Sequence, residues 1–423
     1  MLKFPRELNK IIRELKRQSL AQGLKVYLVG GFVRDLILEV KNLDLDVLVE
    51  GDGIEFARRF SGLLKGSSIV IHKRFGTATL ITEEKLKIDF SSSRKEFYPK
   101  PAHLPVVSSG SLRDDLLRRD FTINAMAVDL NSGLLIDFFG GRSDIKQKKI
   151  RVLHNLSFCD DPLRIFRAVR FEQRYNFKIE PKTLKLIKDS CRARMLEKVH
   201  PHRIRDDLVI MLKEEYPIKS ILRLKNLTGF RFIDSSLRVN AETVSFLKIL
   251  EQKINWFKEN FPQRRELDSW LIYLIGLLDS LKSRDIQAFC ARFGMRRGDE
   301  KRIISFKTFP RSLAKELSSV SVKPSKIFEA LEGLSYETII SLLAASKNRI
   351  FERNVADFLE IYNGMRILVS GSDLHGLGLK PGPQYQKIFE QVLTAKLDGK
   401  VNSRQDEINL IRKMLNKRSS SHG

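Results

Sequence analysis

Cysteine and long apolar runs are scarce in this sequence. Its 423 residues include three cysteines, which stand too far apart for a paired zinc motif or a disulfide framework. The most apolar stretch, from Trp270 to Leu278, is stopped by Asp279 well short of the ~20 residues that a membrane-spanning helix needs. The charged N-terminus predicts an amphipathic helix and not a signal peptide. These absences exclude disulfide-rich and membrane-spanning classes, and they favour the reducing cytoplasm as the location.

Acidic residues are too few to balance the basic ones. The chain has 76 Lys and Arg against 51 Asp and Glu, a net charge of +25. Such a charge favours a polyanionic partner such as nucleic acid, although a merely soluble basic protein is the simpler alternative. With 42% apolar and 30% charged residues the composition is that of a globular protein, which excludes a disordered chain.

Two periodicities divide the chain near residue 140. Short β-branched runs separated by helical stretches predict an α+β head with a mixed sheet, and the runs are Lys25–Val29, Asp46–Glu50, Ser68–His72, Thr77–Ile81 and Lys87–Phe90. From about Asp144 onward, apolar residues recur at helical spacing, so an all-α remainder is expected. We predict a head (1–140), a helical neck (141–215), a helical body (216–320) and a helical tail (321–423). Breaks are expected before the prolines at 181, 201, 217, 262, 310 and 324.

The first motif with chemical content is VGGFVRD, followed by LDLDVLVE. A strand that ends at Gly30-Gly31 and enters a helix directly exposes backbone amides to a phosphate, although a tight connection alone would also use two glycines. Asp44 and Asp46 project from the same face of the next strand, and two adjacent carboxylates repel unless a cation lies between them. Nucleotidyl transfer needs such a pair to hold two Mg2+ ions. Two solvated acids at a strand end are the alternative.

The second motif is LRDDLLRRDFTINAMAVDL. Asp115, Arg118 and Arg119 lie at helical spacing and can share one face, and Asp120 can share another with Asn124. A solvated helix surface is the simple interpretation of this charge run. A ribonucleotide site is the other interpretation, because an arginine fork suits phosphate and a neighbouring aspartate can accept a hydrogen bond from a ribose hydroxyl.

The third motif is CDDPLRIFRAVRFEQRYNF. Asp161 before Pro162 predicts a helix start with Asp161 as the N-cap. Arg164 then opposes the helix macrodipole, so its position requires a reason beyond helix stability. Adenine and cytosine present an amino donor beside a ring-nitrogen acceptor, whereas guanine and uracil present a carbonyl beside an N–H. An Asp161–Arg164 pair would therefore accept A and C and reject G and U. Arg167 and Arg170 continue the spacing, with Arg170 expected to drift to another face.

GGFVRD, DLD, RRDFTINAMA and DDPLRIFRAVRF, in this order, closely resemble the class II tRNA nucleotidyltransferases (CCA-adding enzymes) of the polymerase beta-like nucleotidyltransferase superfamily. The resemblance covers residues 25–215 strongly and returns at GSDLHGLGLKPGPQYQKI, which is similar to the tail of bacterial members. It implies template-independent addition of nucleotides to the tRNA 3′ end, from CTP and ATP, with two Mg2+ ions and release of pyrophosphate. The implied partner is the tRNA acceptor stem and 3′ end; the oligomeric state is left open.

The resemblance also implies roles for single residues. The metals would be held by Asp44 and Asp46. The nucleotide would be held by residues of all three motifs: Gly31 and Arg34 at the triphosphate, Arg119 and Asp120 at phosphate and ribose, Asp161 and Arg164 as the amino-acid template for the base, and Arg167 and Arg170 in support. The sequence departs from the family at Asp160, where glutamate is usual, and this change keeps the charge.

The proline- and serine-rich segment from Ser91 to Gly110 predicts a long loop, either ordered or mobile. Family members that add only CC lack much of this loop, so its presence argues against a CC-only enzyme. RVLHNLSF and FRAVRFEQRYNF are similar to bacterial members that add only the terminal A, so full CCA addition and A-only addition both stay open. A poly(A) polymerase is disfavoured by the short KRSSSHG end, and a non-catalytic RNA-binding protein is disfavoured by the intact Asp44 and Asp46.

Overall fold

The computed structural model describes residues 4–73 and 76–419, with side chains up to residue 416. The chain divides into two compact units, residues 1–236 and 237–423. All strands of the described residues lie in the first unit, and the second unit is helical. The predicted α+β head followed by helices is therefore confirmed, while the finer division at residues 140, 215 and 320 stays a prediction. Within the described ranges, no helix has the length and apolar composition of a membrane span.

The strands follow the β-branched runs of the sequence closely. Their bounds are β1 Lys25–Val29, β2 Leu45–Glu50, β3 Ser68–His72, β4 Thr77–Ile81, β5 Lys87–Ser92, β6 Arg94–Phe97, β7 Val106–Ser109, β8 Ala127–Asp129, β9 Leu135–Ile136, β10 Lys149–Ile150 and β11 Lys178–Ile179. The five predicted strands are β1 to β5. The short parallel pair β10–β11 was not predicted, because two-residue strands leave no periodicity in the sequence.

Seven strands form one mixed sheet in the order β3-β4-β5-β2-β1-β8-β9. The β2–β5 pair is parallel, and the other neighbours are antiparallel. Because β1 and β2 run in opposite directions, the end of β1 at Val29 meets the start of β2 at Leu45. This pairing brings the two glycines after β1 next to Asp46. The parallel register places Asp89 of β5 directly beside Asp46.

The Ser91–Gly110 segment, predicted as a long loop, contains two paired strands. Strands β6 and β7 pair antiparallel from Arg94 opposite Ser109 to Phe97 opposite Val106, and residues 98–105 connect them. At the tip, the amide of Ala102 donates to the carbonyl of Cys159. The loop prediction was wrong here, because alternation in RKEFY is short and the prolines beyond it hide the second strand.

The helices of the first unit are α1 Asn9–Ala21, α2 Gly30–Ile37, α3 Gly53–Ser61, α4 Leu112–Leu117, α5 Gly141–Lys146, α6 Ser157–Asp160, α7 Arg164–Arg174, α8 Pro181–Arg192, α9 Pro201–Leu212 and α10 Pro217–Thr228. Proline is the first residue of α8, α9 and α10, as its fixed φ and missing N–H favour. The predicted breaks at these positions are confirmed. The predicted amphipathic N-terminal helix is α1, which buries Ile11, Ile12 and Leu15.

The second unit continues with α11 Ala241–Asn260, α12 Ser269–Leu278, α13 Ser283–Phe293, α14 Arg297–Lys307, α15 Arg311–Glu316, α16 Pro324–Leu331, α17 Tyr336–Ala345, α18 Arg349–Asp357, α19 Gly371–Gly376, α20 Pro383–Leu397 and α21 Arg404–Ser419, with a π-helical turn at Phe358–Tyr362.

Glu337 of α17 is fully buried. Its carboxylate accepts from both terminal nitrogens of Arg265 at 2.8 and 2.7 Å and from the Asp268 amide at 3.0 Å, and Arg302 lies 3.2 Å away.

Candidate active site

A cavity of about 460 Å3 in the first unit collects the three motifs. Ten of the twelve residues predicted from the sequence line it, and they are Gly30, Gly31, Arg34, Asp46, Arg119, Asp120, Asn124, Asp161, Arg164 and Arg167. These residues come from the β1–α2 turn, β2, the segment after α4 and the start of α7. The three sequence motifs therefore come together in one site.

The β1–α2 turn leaves backbone amides open at one wall of the cavity. Helix α2 begins at Gly30 and has no side-chain cap, so its first-turn amides are available to an anion. Gly30 has φ +68°, and a Cβ there would lie 2.6 Å from Arg119 Nη1 and 3.1 Å from Asp46 Oδ2. Glycine is therefore required at this position both by backbone conformation and by the close approach of two charged groups.

Arg119 lies close to both the Asp46 carboxylate of β2 and Gly30 of the β1–α2 turn. Its Nη2 donates to Asp115 at 2.9 Å, and its Nε is buried without a hydrogen-bond partner among the described residues. Burial raises the pKa of the Asp46 carboxyl; Arg119 counteracts this increase, and Asp89 and Asp44 add to it. A buried unpaired donor beside a destabilised carboxylate indicates that this part of the cavity is incomplete without a charged ligand.

A hydrogen-bonded chain of side chains lines one side of the cavity. Arg34, 5% exposed, forms a bidentate ion pair with Asp35 and donates to Asn124 Oδ1 at 2.7 Å. Asn124 donates to Asp120 at 2.9 Å, and Arg167 donates to the other Asp120 oxygen at 2.6 Å. Burial disfavours the Asp120 charge, but Arg167 and Asn124 outweigh it and hold its pKa below the usual range. Arg34, Asn124 and Asp120 are thus engaged with one another, and Arg167 is fixed at the rim.

The predicted pair Asp161 and Arg164 lies at the start of α7. Arg164, 4% exposed, is the first residue of this helix and donates to Ser157 Oγ at 2.9 Å and to the Arg118 carbonyl at 2.8 Å. Asp161 accepts from Arg203 at 3.0 Å through Oδ1. The predicted N-cap role of Asp161 is wrong: α7 has Leu163 as its N-cap and no side-chain cap. Asp161 is instead the C-cap of α6, and its carboxylate forms an ion pair with Arg203 of α9.

Two predicted residues lie outside the cavity lining. Asp44 directly precedes β2 and is exposed, and its charge still raises the pKa of Asp46. Arg170 is turned away: its Nε donates to Glu214 at 2.8 Å, and Arg174 binds the same carboxylate. The structure therefore does not bring Arg170 to this cavity, because six residues of α-helix rotate it well away from Arg164.

Two protein-family models match this chain. "Poly A polymerase head domain" matches residues 26–151, and "Probable RNA and SrmB- binding site of polymerase A" matches residues 176–233. An A-adding tRNA nucleotidyltransferase of Halalkalibacterium halodurans is 30% identical over 96% of this chain and 92% of its own length. The chain belongs to the tRNA nucleotidyltransferase family.

Further relatives support the assignment to the tRNA nucleotidyltransferases. The A-adding enzyme of Geobacter sulfurreducens is 37% identical over 96% of this chain, and the chain spans about half of that relative, 47%. A solved apo CCA-adding enzyme shares 34% identity and a TM-score of 0.79, covering 97% of this chain and 96% of its own. The Thermotoga maritima CCA-adding enzyme complexed with tRNA shares 33% identity and a TM-score of 0.74 over the same fractions.

Some residues of this tRNA nucleotidyltransferase site were missed by sequence reasoning. Glu96 and Tyr98 of the β6–β7 ribbon line the cavity, where Glu96 accepts from Tyr98 and Arg118 at 3.1 Å each. Asp89 lies beside Asp46 and accepts from Thr79 Oγ1 at 2.6 Å. The alternation in RKEFY was the available signal for Glu96 and Tyr98. Nothing local marks Asp89, because its neighbour Asp46 is 43 positions away in the sequence.

The carboxylates fit divalent cations that are completed by substrate. Among the described residues, no cluster of three or more His, Cys, Asp or Glu side chains is arranged to hold a metal ion by itself. Mg2+ is usually held by one or two carboxylates together with substrate phosphates, so Asp44 and Asp46 suffice as protein ligands. Burial and the nearby carboxylates raise the pKa of Asp46, which means that its negative charge is destabilised. A cation bound there would stabilise that charge.

Proposed function

We propose that this chain adds nucleotides from CTP and ATP to the 3′ end of tRNA, completing or repairing the CCA end, and releases pyrophosphate. The observation that carries the proposal is the single cavity in which the glycine turn, Asp46 and the Asp161–Arg164 pair converge. Relatives of this chain are named for nucleotide addition to tRNA, and similar CCA-adding enzymes are known as complexes with ATP and with CTP. The three free cysteines are in keeping with a cytoplasmic location.

The triphosphate would lie at the β1–α2 turn. The open amides at Gly30 and Gly31, together with the unpaired Nε of Arg119, supply donors for phosphate oxygens. Arg34 would act mainly by fixing Asn124, since its guanidinium already binds Asp35 and Asn124. Asp120 would act by holding Arg167 towards the nucleotide, since both of its oxygens are already engaged, one with Asn124 and one with Arg167.

The base would be read by Asp161 and Arg164. Two of the five N–H donors of Arg164 are used by Ser157 and the Arg118 carbonyl, which fixes the guanidinium and leaves donors for a ring nitrogen. Asp161 has one oxygen on Arg203 and its second oxygen without a partner among the described residues. That oxygen can accept from the amino group of A or C, whereas the carbonyl of G or U would meet a like partial charge.

Asp44 and Asp46 would hold the Mg2+ ions. Bound there, the metals lower the pKa of the attacking hydroxyl and neutralise charge on the triphosphate. Asp89, fixed by Thr79 and Lys87, keeps a third negative charge beside Asp46 and strengthens the attraction for cations. Arg119 balances these charges when the site is empty of nucleotide.

Addition of the terminal A alone is a second candidate. The relatives from Geobacter sulfurreducens and Halalkalibacterium halodurans are both A-adding enzymes, at 37% and 30% identity. The CCA-adding enzymes among the solved structures lie within the same range, at 33% and 34%. Both products are therefore compatible with the family, and the choice depends on the substrate test below.

The test is addition of labelled nucleotides to three tRNA transcripts that end before CCA, after CC, and after CCA. Incorporation of C and A on the first transcript supports CCA addition. Incorporation of a single A on the second transcript alone supports the A-adding candidate. Long A tracts on the complete transcript would indicate a poly(A) polymerase, and no incorporation on any transcript would refute the proposal.

A further inference from the structure

Asp44 and Asp46 are proposed to hold the same cations, but the sheet fixes their positions unequally. The ladder with β5 begins at Leu45 and pairs Asp46 with Asp89, so it includes Asp46 and not Asp44. The ladder with β1 covers residues 47–50 of β2. Asp44 is exposed and lies in the segment that precedes the strand. A contact outside the sheet must therefore set the position of Asp44.

Asn42 makes this contact. The amide N–H of Asp44 donates to Asn42 Oδ1 at 2.9 Å, and Asn42 Nδ2 donates to Asp35 Oδ2 at 2.9 Å. A flipped side-chain amide would place two donors face to face at Asp44 and two acceptors face to face at Asp35, so the two partners together set its orientation. Asn42 is therefore a bridge between the Asp35 carboxylate and the backbone of Asp44.

Asp35 is a rigid end for this bridge. It is 6% exposed and belongs to α2, and the guanidinium of Arg34 donates to its two oxygens at 2.8 and 2.9 Å. Tyr175, which directly follows α7, donates to Asp35 Oδ1 at 3.2 Å, and its ring centroid lies 4.8 Å from Cζ of Arg34. Each oxygen of Asp35 thus has two donors, so the carboxylate cannot turn without breaking several hydrogen bonds.

The bridge connects the helix of the proposed triphosphate site to the metal-ligand segment. Helix α2 begins at Gly30, and Asp35 lies in the same helix. The amide of Val40 donates to the Asp35 carbonyl at 2.9 Å, so the connection from α2 to β2 folds back onto this helix. Asn42 then joins α2 to Asp44. The position of Asp44 relative to the triphosphate site therefore depends on Asn42.

We propose that Asn42 is a positioning residue, which orients Asp44 towards the cations through its bridge to Asp35. This inference rests on the proposed function, in which Asp44 and Asp46 are the metal ligands. Groups that orient a metal ligand contribute roughly 10- to 100-fold to metal affinity. Because the sheet still fixes Asp46 when Asn42 is replaced, we expect a loss at the lower end of this range, about tenfold.

The first test measures the affinity of the full chain for Mn2+ alone, an ion that prefers the same oxygen ligands as Mg2+. Electron paramagnetic resonance reports the free Mn2+. Asn42→Leu keeps the side chain at a similar size and removes both hydrogen bonds, and Asn42→Ala removes most of the side chain. Both variants should bind Mn2+ about tenfold more weakly than wild type. An affinity of Asn42→Leu within about twofold of wild type would overturn the proposal.

Asn131→Ala is the matched control. Asn131 is a half-buried asparagine in a turn of the same unit, its side chain accepts from Ser19 Oγ at 3.3 Å, and it does not line the nucleotide cavity. This variant loses one asparagine hydrogen bond without touching the metal-ligand segment, so it should bind Mn2+ as wild type does. An equal loss of Mn2+ affinity in Asn131→Ala and Asn42→Ala would overturn the proposal.

A double variant tests whether Asn42 acts through Asp44. In the Asp44→Asn background, Asn42→Leu should change the Mn2+ affinity by less than about twofold, because the ligand that Asn42 orients is already lost. The same substitution costs about tenfold when Asp44 is present. An equal loss in the two backgrounds would show that Asn42 acts independently of Asp44, and the proposal would fail.

ATP binding without a metal separates the positioning of Asp44 from support of α2. In EDTA, a fluorescent ATP analogue should bind wild type and Asn42→Leu within about twofold of one another. The reason is that Arg34 keeps its bonds to Asp35 and Asn124 in the variant. An ATP affinity that falls by the same factor as the Mn2+ affinity would make Asn42 a support of the helix and would overturn the proposal.

Nucleotide addition supplies the kinetic readout. With a tRNA transcript ending in CC and ATP, the Mg2+ concentration for half-maximal rate should rise about tenfold in Asn42→Leu, and kcat at saturating Mg2+ should stay within about threefold of wild type. A lower kcat with an unchanged Mg2+ requirement would contradict the proposal. If wild type adds no nucleotide to any transcript, the proposed function fails, whereas the Mn2+ titrations still decide whether Asn42 orients Asp44.

Discussion

The nucleotide cavity and the Glu337 cluster are both buried networks of arginines and carboxylates, and they differ in what is left unpaired. Glu337 has both oxygens bound by Arg265, with further donors from Arg302 and a backbone amide. In the cavity, Arg119 keeps a buried nitrogen without a partner, and burial raises the pKa of Asp46. A saturated network holds a fold together, whereas an unsaturated one is completed by a ligand.

The largest effect should come from the unsaturated network. Asp46→Asn removes the charge of the proposed metal ligand without changing side-chain size, so nucleotide addition should fall by about a thousandfold or more, in line with several kcal/mol of lost charge stabilisation. The affinity for tRNA, measured by filter binding, should stay close to that of wild type, because the proposed role of Asp46 is to hold metal and not the tRNA stem. Addition within tenfold of wild type would remove Asp46 from the mechanism.

A substitution in the saturated Glu337 network should lower the stability of the fold and leave the active site unchanged. Glu337→Gln leaves two arginines facing a neutral group, and we expect the free energy of unfolding of this part of the chain to fall by about 3 kcal/mol. Chemical denaturation followed by circular dichroism measures this loss. The matched observation is ATP affinity, which should be unchanged in the folded variant. An unchanged denaturation midpoint would show that the cluster contributes no stability.

Lowering the pH should destabilise the fold at the same network, through protonation of the Glu337 carboxylate. Although burial opposes its charge, Arg265 and the backbone amides lower the pKa of Glu337 to about 2, from 4.5 in an unfolded chain. A lowered folded pKa stabilises the folded state above the unfolded pKa, so the contribution of about 3 kcal/mol should be lost as the pH falls from about 4.5 to about 2. Glu337→Gln should lose this part of the pH dependence. A variant and wild type with parallel stability profiles between these pH values would contradict the assignment.

The proposed base-reading pair, Asp161 and Arg164, should show a smaller effect, on the selectivity for the incoming nucleotide. Arg164→Ala removes a charge-assisted contact of about 1.5–3 kcal/mol, so kcat/KM for ATP should fall roughly 10- to 150-fold. Discrimination against GTP and UTP should relax, because the donor that opposes their N–H is gone. Equal slowing of ATP, GTP and UTP would make Arg164 a phosphate ligand or a helix support instead.

The smallest effect is expected from a comparison of Arg167 and Arg170, two arginines of α7. Arg167 faces the cavity through Asp120, whereas Arg170 is bound to Glu214. Arg167→Met should raise the KM for ATP by about tenfold, the scale of one charged hydrogen bond. Arg170→Met should leave that KM unchanged and lower the melting temperature by a few degrees, because Glu214 loses one of two partners. Equal KM values for the two variants would show that the cavity does not depend on Arg167.

Local patterns predicted the parts of the site that depend on short-range geometry. The glycine turn, Asp46 at the start of an apolar strand and Arg164 in a first helical turn are all fixed within a few residues of sequence. Asp89 was missed because only the parallel register of β2 and β5 brings it to Asp46. The Asp161 N-cap was wrong because Asp161 is the C-cap of α6, and its carboxylate binds Arg203, 42 positions away in the sequence.

The short bridges that join residues near 120 and 150 to one another have a consequence for making hybrids of this protein. Phe121 pairs with Val152, and β10 pairs with β11 on the far side of α7. The first pair joins the segment that follows α4 to the segment that precedes α6 and α7, across the position near residue 140 where the sequence changes character. An exchange of parts between relatives that cuts at residue 140 would separate Asp161 and Arg164 from Asp46, whereas one that cuts near residue 236 would transplant all three residues in one piece.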